Sequence, residues 1–518
     1  MFIAITLSLF LLTGISLVII RVLRPDFSYS WPVAVVGSFL AWISTILWQI
    51  QLPSRLVVIN YTYKDIFNYS LILVADGKNF PYAIGLTSLV LAVIFTSSIQ
   101  ATTINPFGWA RLFFLSFLGL LAILSENLLT LVIAWALIDI AGLISSLRAV
   151  EESGLSENAV VSYSIRLIGM GFVLWAGILG ASNGHAFDFS TVPQGFVSFL
   201  LVGVIFRSCS LLIRLPYSKD PSLQPGHDTT YLLILTSANM ILLTHLPKEV
   251  NYPLVSIFLT IIIALIGLFA IFSWLRSPYE SGGQSFWITG LTSLAIAASL
   301  RGNPIGSAAW GSSIFFLGGL LFLYSFRNRW LTVLLLIATF SLSALPYSLT
   351  ATGWISSSAY SWLPLLLLIP LQGLLISGYI RSILHDGGTN LNDQPNWVEV
   401  FYPMGLIILL ILGLLLGVMG WVGAGQIGAW IPGLIGCVIS VILSFILVRN
   451  PRSNPIVSQS IHRPMAIAIS ITSIFWSLFR IISRLLDLIS ITFEGDGGFL
   501  WTILFLVVFI SFLRGYIR

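Results

Sequence analysis

Two apolar runs joined by one short polar turn fill residues 112–147, which read LFFLSFLGLLAILSENLLTLVIAWALIDIAGLISSL. The second run alone has about the 20 residues that an α-helix needs to cross the hydrocarbon core of a bilayer. Between the runs stand Ser125, Glu126 and Asn127, polar residues that suit a helix end. The stretch therefore predicts two consecutive membrane helices with a tight connection.

The same pattern extends over the whole chain. Of its 518 residues, 57% are hydrophobic and 8% are charged, whereas a soluble domain is about one quarter charged. The apolar blocks are continuous and do not alternate, which excludes a porin-like barrel. The formal charge of +5 is small and its cations are scattered, so no nucleic-acid partner is expected. About sixteen apolar blocks predict membrane helices surrounded by lipid, at 2–20, 31–49, 81–99, 112–125, 127–147, 159–181, 195–215, 230–246, 252–274, 286–300, 306–325, 331–349, 362–383, 402–421, 425–448 and 499–514.

Lys and Arg are unevenly distributed over the predicted loops. Loops after odd-numbered blocks carry more of them than loops after even-numbered blocks, and cytoplasmic loops are the richer class. This asymmetry predicts an N-terminus outside the cytoplasm. We expect an integral protein of the bacterial plasma membrane. The first block lacks a preceding basic stretch and a small-residue cleavage site, so we expect a retained span. The loops after odd-numbered blocks hold Arg21, Arg24, Arg148, Lys219, Arg276, Arg327, Arg329, Arg449 and Arg452.

The segment 464–491 has a different pattern, because polar residues recur in it at steps of three and four. They form one stripe on an otherwise apolar helix. A C-terminal amphipathic helix lying along the membrane surface or a neighbouring subunit fits this pattern, and a further span with its stripe facing the bundle is the alternative. The stripe consists of Ser470, Ser473, Ser477, Arg480, Arg484 and Asp487.

The sequence lacks the motifs of metal sites, phosphate-binding loops and catalytic nucleophiles. The five histidines lie near loops without metal-ligand spacing, and no glycine-rich phosphate loop or nucleophile elbow occurs. Cys209 and Cys437 fall inside apolar runs, where a buried structural thiol is expected. We therefore predict no catalytic residue, no cofactor site and no metal site.

Several short motifs occur in a fixed order between about residues 70 and 385. This series resembles the antiporter-like, proton-translocating type of membrane subunit found in respiratory complex I and in multisubunit cation/proton antiporters. In that family an acid is followed by Asn-Leu-Leu and then by Trp-Glu. The matching stretches are Val74-Ala75-Asp76-Gly77, Ser125-Glu126-Asn127-Leu128-Leu129 with Ala134-Trp135, Ala186-Phe187-Asp188, Leu320-Leu321-Phe322-Leu323 and Phe340-Ser341-Leu342-Ser343-Ala344-Leu345-Pro346.

The resemblance implies an all-α polytopic membrane protein of about 15–16 transmembrane helices, with two inverted five-helix repeats. We expect N-terminal helices in 1–111, the first repeat in 112–246 and the second in 252–385. Further C-terminal helices would occupy 386–448, and 449–518 would hold the amphipathic helix and the last span.

Each repeat is expected to contain one helix broken near the middle of the membrane, as in many transporters. Polar residues interrupt the first repeat at Thr236-Ser237-Ala238-Asn239, and a proline interrupts the second at Leu345-Pro346-Tyr347. These two places are the predicted breaks.

Titratable residues that the family uses to move protons have other residues in their place here. The resemblance implies that Ala136 replaces the glutamate after the tryptophan, and that Arg207 replaces a lysine of the seventh helix. By the same matching, Ile314 and Gly318 replace a His and a Lys, and Trp354 replaces a later Lys. Because Arg stays protonated in proteins, it cannot release a proton as a buried Lys can.

Asp139 is the acid nearest to the missing glutamate, three residues further along the same helix face. An Asp139–Arg207 ion pair would neutralise both charges inside the bundle. The alternative is that backbone groups or water satisfy the two side chains separately.

Two further charged residues are candidates for an ion path. Arg166 is predicted in the sixth helix, where it is either buried and functional or extended toward the membrane interface. Glu126 stands in the short turn before the fifth helix, where a solvated helix-start residue is the simpler interpretation than a proton carrier.

Three functions remain compatible with the sequence. The first is a structural membrane-arm subunit of a complex I-like assembly, an NADH:quinone oxidoreductase or related antiporter-like complex, with a degenerate proton path and other membrane subunits as partners. In the second, an active proton- or cation-translocating subunit uses Asp139 and Arg207 as substitutes. The third is an unrelated multispan membrane enzyme.

Overall fold

Helices form nearly all of the described structure. The structure is a computed structural model, and it describes residues 2–24, 29–63, 67–100, 106–149, 153–182, 189, 194–213, 225–246, 253–276, 280–326, 328–355, 362–384, 391–419 and 430–449. Within these ranges, every apolar block predicted from the sequence coincides with a helix or with an interrupted helix. The predicted stripe helix 464–491 and the last block 499–514 lie outside the described residues.

Sixteen α-helices follow one another along the described part of the chain. They are α1 (Phe2–Leu23), α2 (Ser30–Leu47), α3 (Phe80–Thr96), α4 (Pro106–Leu124), α5 (Leu128–Ala149), α6 (Ser153–Ser182), α7 (Val197–Ile213), α8 (Pro225–Thr244), α9 (Pro253–Arg276), α10 (Glu280–Leu300), α11 (Pro304–Ser313), α12 (Gly319–Leu323), α13 (Arg329–Ala338), α14 (Trp362–Leu384), α15 (Asn396–Met419) and α16 (Ile431–Arg449). Within the described ranges, nine helical segments are long and apolar enough to cross a membrane, judged by length and composition. The chain is therefore an all-α polytopic membrane protein, as predicted.

A β-hairpin stands between α2 and α3, where the sequence had indicated only a loop. Strand β1 (Ser54–Tyr63) pairs antiparallel with β2 (Phe67–Ala75), and Ser54 lies opposite Ala75. Many of its residues are β-branched or aromatic, the types that favour strands. One bridge joins Leu73 of β2 to Ser125, so the hairpin is attached to the turn between α4 and α5.

Helices α4 to α8 and α9 to α14 pack in matching ways. In the first group α4 contacts α5 and α8, and α5 contacts α6. In the second group α9 contacts α10 and α14, and α10 contacts α11. Each group contributes five helices when α11 and α12 are taken as one interrupted helix. The inverted orientation of the second group relative to the first stays a prediction.

The break predicted near Pro346 is present. Helix α13 ends at Ala338 and continues as a 3₁₀ turn over Thr339–Leu342. Beyond it, Ala344 and Tyr347 have φ angles of 53° and 66°, a region that side-chain-bearing residues rarely occupy. Proline lacks the N–H that the hydrogen-bond ladder of a helix uses, and the residue before it disfavours helical angles.

The break predicted at 236–239 is wrong, because α8 is continuous from Pro225 to Thr244. Polar side chains alone do not open this helix. The Thr236 hydroxyl donates to the carbonyl of Leu232 in its own helix, at 2.7 Å. No proline follows Pro225 within α8, so every backbone N–H of the helix interior can stay in its ladder.

Candidate functional site

Three charged side chains meet inside the first helix group, and we call them the charge triad: Asp139, Arg166 and Arg207. They come from α5, α6 and α7, and their exposed fractions are 0%, 5% and 0%. Ionisable residues in membrane spans are costly and usually pair with one another. The triad is therefore the outstanding polar feature of this group.

Asp139 lies between the two arginines. Its Oδ2 is 2.8 Å from Nη1 of Arg207, and its Oδ1 is 2.9 Å from Nε of Arg166. The expected Asp139–Arg207 ion pair is thus present. The second arginine on the same carboxylate was not expected from the sequence. Arg166 is buried inside the helix bundle.

Hydrogen bonds and an aromatic ring fix the side chain of Arg207 in addition to its ion pair. Its Nε donates to Asn239 Oδ1 at 2.7 Å, and its Nη1 also donates to the carbonyl of Arg166 at 3.3 Å. Its guanidinium carbon lies 4.2 Å from the centre of the Trp135 ring, which is a cation–π contact. Trp135 is itself fixed, because its Nε1 donates to the carbonyl of Ala238 at 2.9 Å.

Glycines allow α6 and α7 to approach closely enough for this arrangement. A Cβ atom on Gly169 would come within 2.6 Å of Arg207 Cγ, and one on Gly203 would come within 2.8 Å of the Gly169 carbonyl. Any side chain at either position would force the two helices apart. The side chain of Arg207 therefore lies across α6 only because position 169 is a glycine.

Arg166 is anchored by hydroxyl groups as well as by Asp139. Its Nη1 donates to Ser162 Oγ at 3.1 Å, one turn earlier in α6, and Ser162 Oγ donates to the carbonyl of Ser210 at 3.2 Å. The signal that could have indicated this contact is the spacing of Ser162 and Arg166, four residues apart and hence on one helix face.

Glu126 is not part of the charge triad. It precedes α5, thirteen positions before Asp139, which corresponds to about 20 Å along a helix. Its Oε2 lies 3.5 Å from Nε of Arg55, and the two side chains are 33% and 58% exposed. This contact ties the hairpin to the turn before α5, and the helix-start interpretation of Glu126 fits it.

The positions that match the family's titratable residues in the second group are filled by packing. Ile314 and Gly318 are the first and last residues of a π-helix between α11 and α12, and both are buried. A Cβ atom on Gly318 would come within 2.6 Å of Leu233 Cδ2. No room is left there for a lysine side chain in the described surroundings.

Trp354, which the resemblance matched to a later lysine, is held by hydrogen bonds next to the break. Its Nε1 donates to Gln372 Oε1 at 3.0 Å, and Gln372 Nε2 donates to the carbonyl of Leu342 at 2.8 Å. Thr350 secures the other side of the break, because its hydroxyl donates to the carbonyl of Ser341 at 2.7 Å and accepts from the N–H of Ala344. Neutral amide, indole and hydroxyl groups hold the broken helix.

Sequence reasoning missed a second polar cluster, at the start of α3. His245 follows the last residue of α8, and its Nε2 lies 3.0 Å from Asn79 Oδ1. Because an amide oxygen only accepts, Nε2 carries the proton. His245 also stacks on Phe189, with 4.8 Å between the ring centres. Burial lowers the pKa of His245 to about 4, and the nearby Asp76 opposes the shift.

Comparison with known proteins relates this chain to solved structures alone. No protein-family model matches the sequence, and no curated protein matches it. A chain of the Mrp complex from Dietzia sp. DQ12-45-1b matches all of this chain with a TM-score of 0.66 and 13% identity, and this chain spans 63% of that chain's length.

Two respiratory complexes contain similar chains. One belongs to the membrane-bound sulfane sulfur reductase, an archaeal respiratory membrane complex, with a TM-score of 0.60, 13% identity and coverage of 98% of this chain and 99% of that chain. The other belongs to respiratory complex I from Thermus thermophilus with bound Aureothin, with a TM-score of 0.56, 15% identity and coverage of 80% and 97%. The all-α polytopic membrane fold expected from the resemblance is therefore confirmed.

Proposed function

We propose that this chain is a structural membrane subunit of an antiporter-like or complex I-like assembly in the bacterial plasma membrane, and that it carries no proton path of its own. The fold supports the first half of this proposal, because similar chains occur in three membrane complexes. The observation that carries the second half is the binding of both Asp139 oxygens by arginines.

Proton transfer needs groups that gain and lose a proton at accessible pH. Arginine stays protonated in proteins and therefore does not serve as a proton carrier. Asp139 has each carboxylate oxygen against a guanidinium nitrogen, and its exposed fraction is 0%. The triad therefore acts as a fixed cluster of charge that fastens α5, α6 and α7 together.

Continuity toward the second helix group is also lost. A path across about 30 Å of hydrocarbon requires a succession of titratable groups or water. The side chains at Ile314 and Trp354 are buried and do not titrate, and Leu233 fills the space in front of Gly318. A scaffold of this kind would keep the spacing between neighbouring subunits that do move ions.

Active translocation is the competing function, and one observation favours it. Buried charges are expensive in a membrane, and a pure scaffold could in principle have replaced all three residues of the triad by apolar ones. An active subunit would use Asp139 and Arg207 as substitutes for the family's acid–lysine pair.

Purification from the native membrane in mild detergent tests the assembly. We expect sister antiporter-like subunits to co-purify, and a chain that migrates alone would contradict the proposal. Proton uptake by the assembly in liposomes then tests the mechanism, with Asp139→Asn and Arg207→Ala compared with Glu126→Gln as the control. We expect loss of assembled complex in the triad variants. Normal assembly with abolished proton uptake in those variants would instead establish active translocation by this subunit.

A further inference from the structure

Two fully buried donors beside the charge triad have no acceptor. They are Arg207 Nη2 and Asn239 Nδ2, and both side chains have an exposed fraction of 0%. In lipid-embedded protein, where water cannot reach an open polar group, an unsatisfied donor costs several kcal/mol. Two such donors at one place need an explanation.

The donors belong to groups that already touch each other. Arg207 Nε donates to Asn239 Oδ1 at 2.7 Å, which fixes the amide with its oxygen toward the guanidinium. In a guanidinium, the Nε–H bond and one Nη2–H bond leave from the same edge. That edge therefore meets an amide with one acceptor and one donor, and the Nη2 and Nδ2 hydrogens are left for a third group that accepts from both.

Charge identifies the class of this third group. The triad has two arginines and one aspartate, so it carries one excess positive charge. Among the side chains that the structure describes, Asp139 is the single carboxylate in ion-pair contact with either arginine. An uncompensated buried charge is strongly unfavourable. A bound water would accept from the two donors, but it would leave the excess positive charge of the triad uncompensated.

We infer that Arg207 and Asn239 bind a small monovalent anion, of the halide class, as a resident part of the fold. The anion accepts from Arg207 Nη2 and Asn239 Nδ2 and balances the second arginine. We propose a small ion because both donors belong to fully buried side chains. This inference does not depend on whether the subunit transports protons, because the anion is required by the excess positive charge of the triad.

Direct measurement of chloride tests the site. The full-length chain is purified in chloride, desalted into gluconate at equal ionic strength, denatured, and its released chloride is counted by ion chromatography. We expect about one chloride per chain. In parallel, the melting temperature should rise by about 1–3 °C for each tenfold increase in chloride or bromide over gluconate. No released chloride and equal melting temperatures would overturn the inference and assign the donors to water.

One substitution supplies the missing charge within the chain. In Asn239→Asp, the two carboxylate oxygens can accept from both Nε and Nη2 of Arg207 in the paired geometry that arginine and carboxylate prefer. We expect this variant to release no chloride and to melt at the same temperature in chloride and gluconate.

A matched control makes the same exchange where both amide atoms are already bonded. Gln372 is as buried as Asn239, and it accepts from Trp354 and donates to Leu342. Gln372→Glu should melt lower than the wild type and still release one chloride. If Asn239→Asp keeps the chloride and its halide dependence, the anion lies elsewhere and the assignment to these two residues is wrong.

Discussion

Gly169 lies directly beneath the side chain of Arg207, so that a single methyl group at position 169 would come within 2.6 Å of Arg207 Cγ. One glycine in α6 thus determines where a charge carried by α7 can lie. The ion pair between Arg207 and Asp139 therefore depends on the absence of a side chain at position 169.

Enlarging this glycine should therefore disturb the charge triad. Gly169→Ala is expected to lower the free energy of unfolding by about 1–3 kcal/mol, the usual cost of overpacking a buried contact. Gly171→Ala is the matched control two residues away, where an added Cβ meets nothing within 4 Å. Alanine favours helix over glycine, so the control should be neutral or slightly stabilising. Equal melting temperatures of the two variants would contradict the role of Gly169.

Removing the negative charge should cost more than removing an exposed one. Asp139→Asn removes the carboxylate that both buried guanidinium groups contact, and breaking a buried pair typically costs about 3–5 kcal/mol. Glu126→Gln breaks the exposed contact with Arg55 and should cost less than about 1 kcal/mol. Chemical denaturation of the two purified variants beside the wild type measures the difference. A loss of similar size in both would show that the triad is not a structural anchor.

Acid should weaken the contact between α8 and α3. The pKa of His245 is lowered to about 4 in the fold, from an ordinary value of 6.5. Between these values the unfolded chain binds the proton and the folded chain does not, so stability falls as pH drops from about 6.5 to about 4. The difference amounts to at most roughly 3 kcal/mol.

Melting temperatures across this pH window should therefore fall more steeply in the wild type than in His245→Gln. Glutamine offers Asn79 a donor and does not titrate, which makes it the suitable comparison. Identical pH profiles of the two proteins would show that His245 does not control the acid response.

Restoring one family residue should not restore transport. Ala136 is partly buried in α5, and Ala136→Glu would place a carboxyl where the family has one. The later positions Ile314, Gly318 and Trp354 would still lack a titratable group, so the proton path stays interrupted at several places. We expect no proton uptake above wild type in liposomes containing the reconstituted assembly. A clear gain of uptake in this single variant would show that the remaining path is intact.

Hydrophobicity allowed the membrane helices to be predicted, because lipid requires long apolar runs wherever the backbone crosses it. The break at Pro346 was predictable for a chemical reason, since proline lacks the donor that a helix requires. The false break at 236–239 shows the limit of such reasoning. Hydroxyl groups such as that of Thr236 are satisfied by their own helix and leave it intact.

The site was predictable only in part. Resemblance to the family placed Arg207 on the seventh helix and drew attention to Asp139. Arg166 joins them through the close approach of α6 and α7, which depends on Gly169 and Gly203. Sequence spacing within one helix carries no information on such a crossing. The hairpin was missed because the search for long apolar blocks left the residues between 49 and 81 without a predicted element.

The contact between Asn79 and His245 also has a consequence for the order of synthesis. These residues are 166 positions apart, and a ribosome adds about 5–20 residues per second, so Asn79 emerges roughly 10–30 s before its partner. Helices α1 to α3 can enter the bilayer in that interval. The hydrogen bond of Asn79 before α3 forms only after α8 and His245 have been synthesised. Until then Asn79 Oδ1 lacks the donor that His245 supplies.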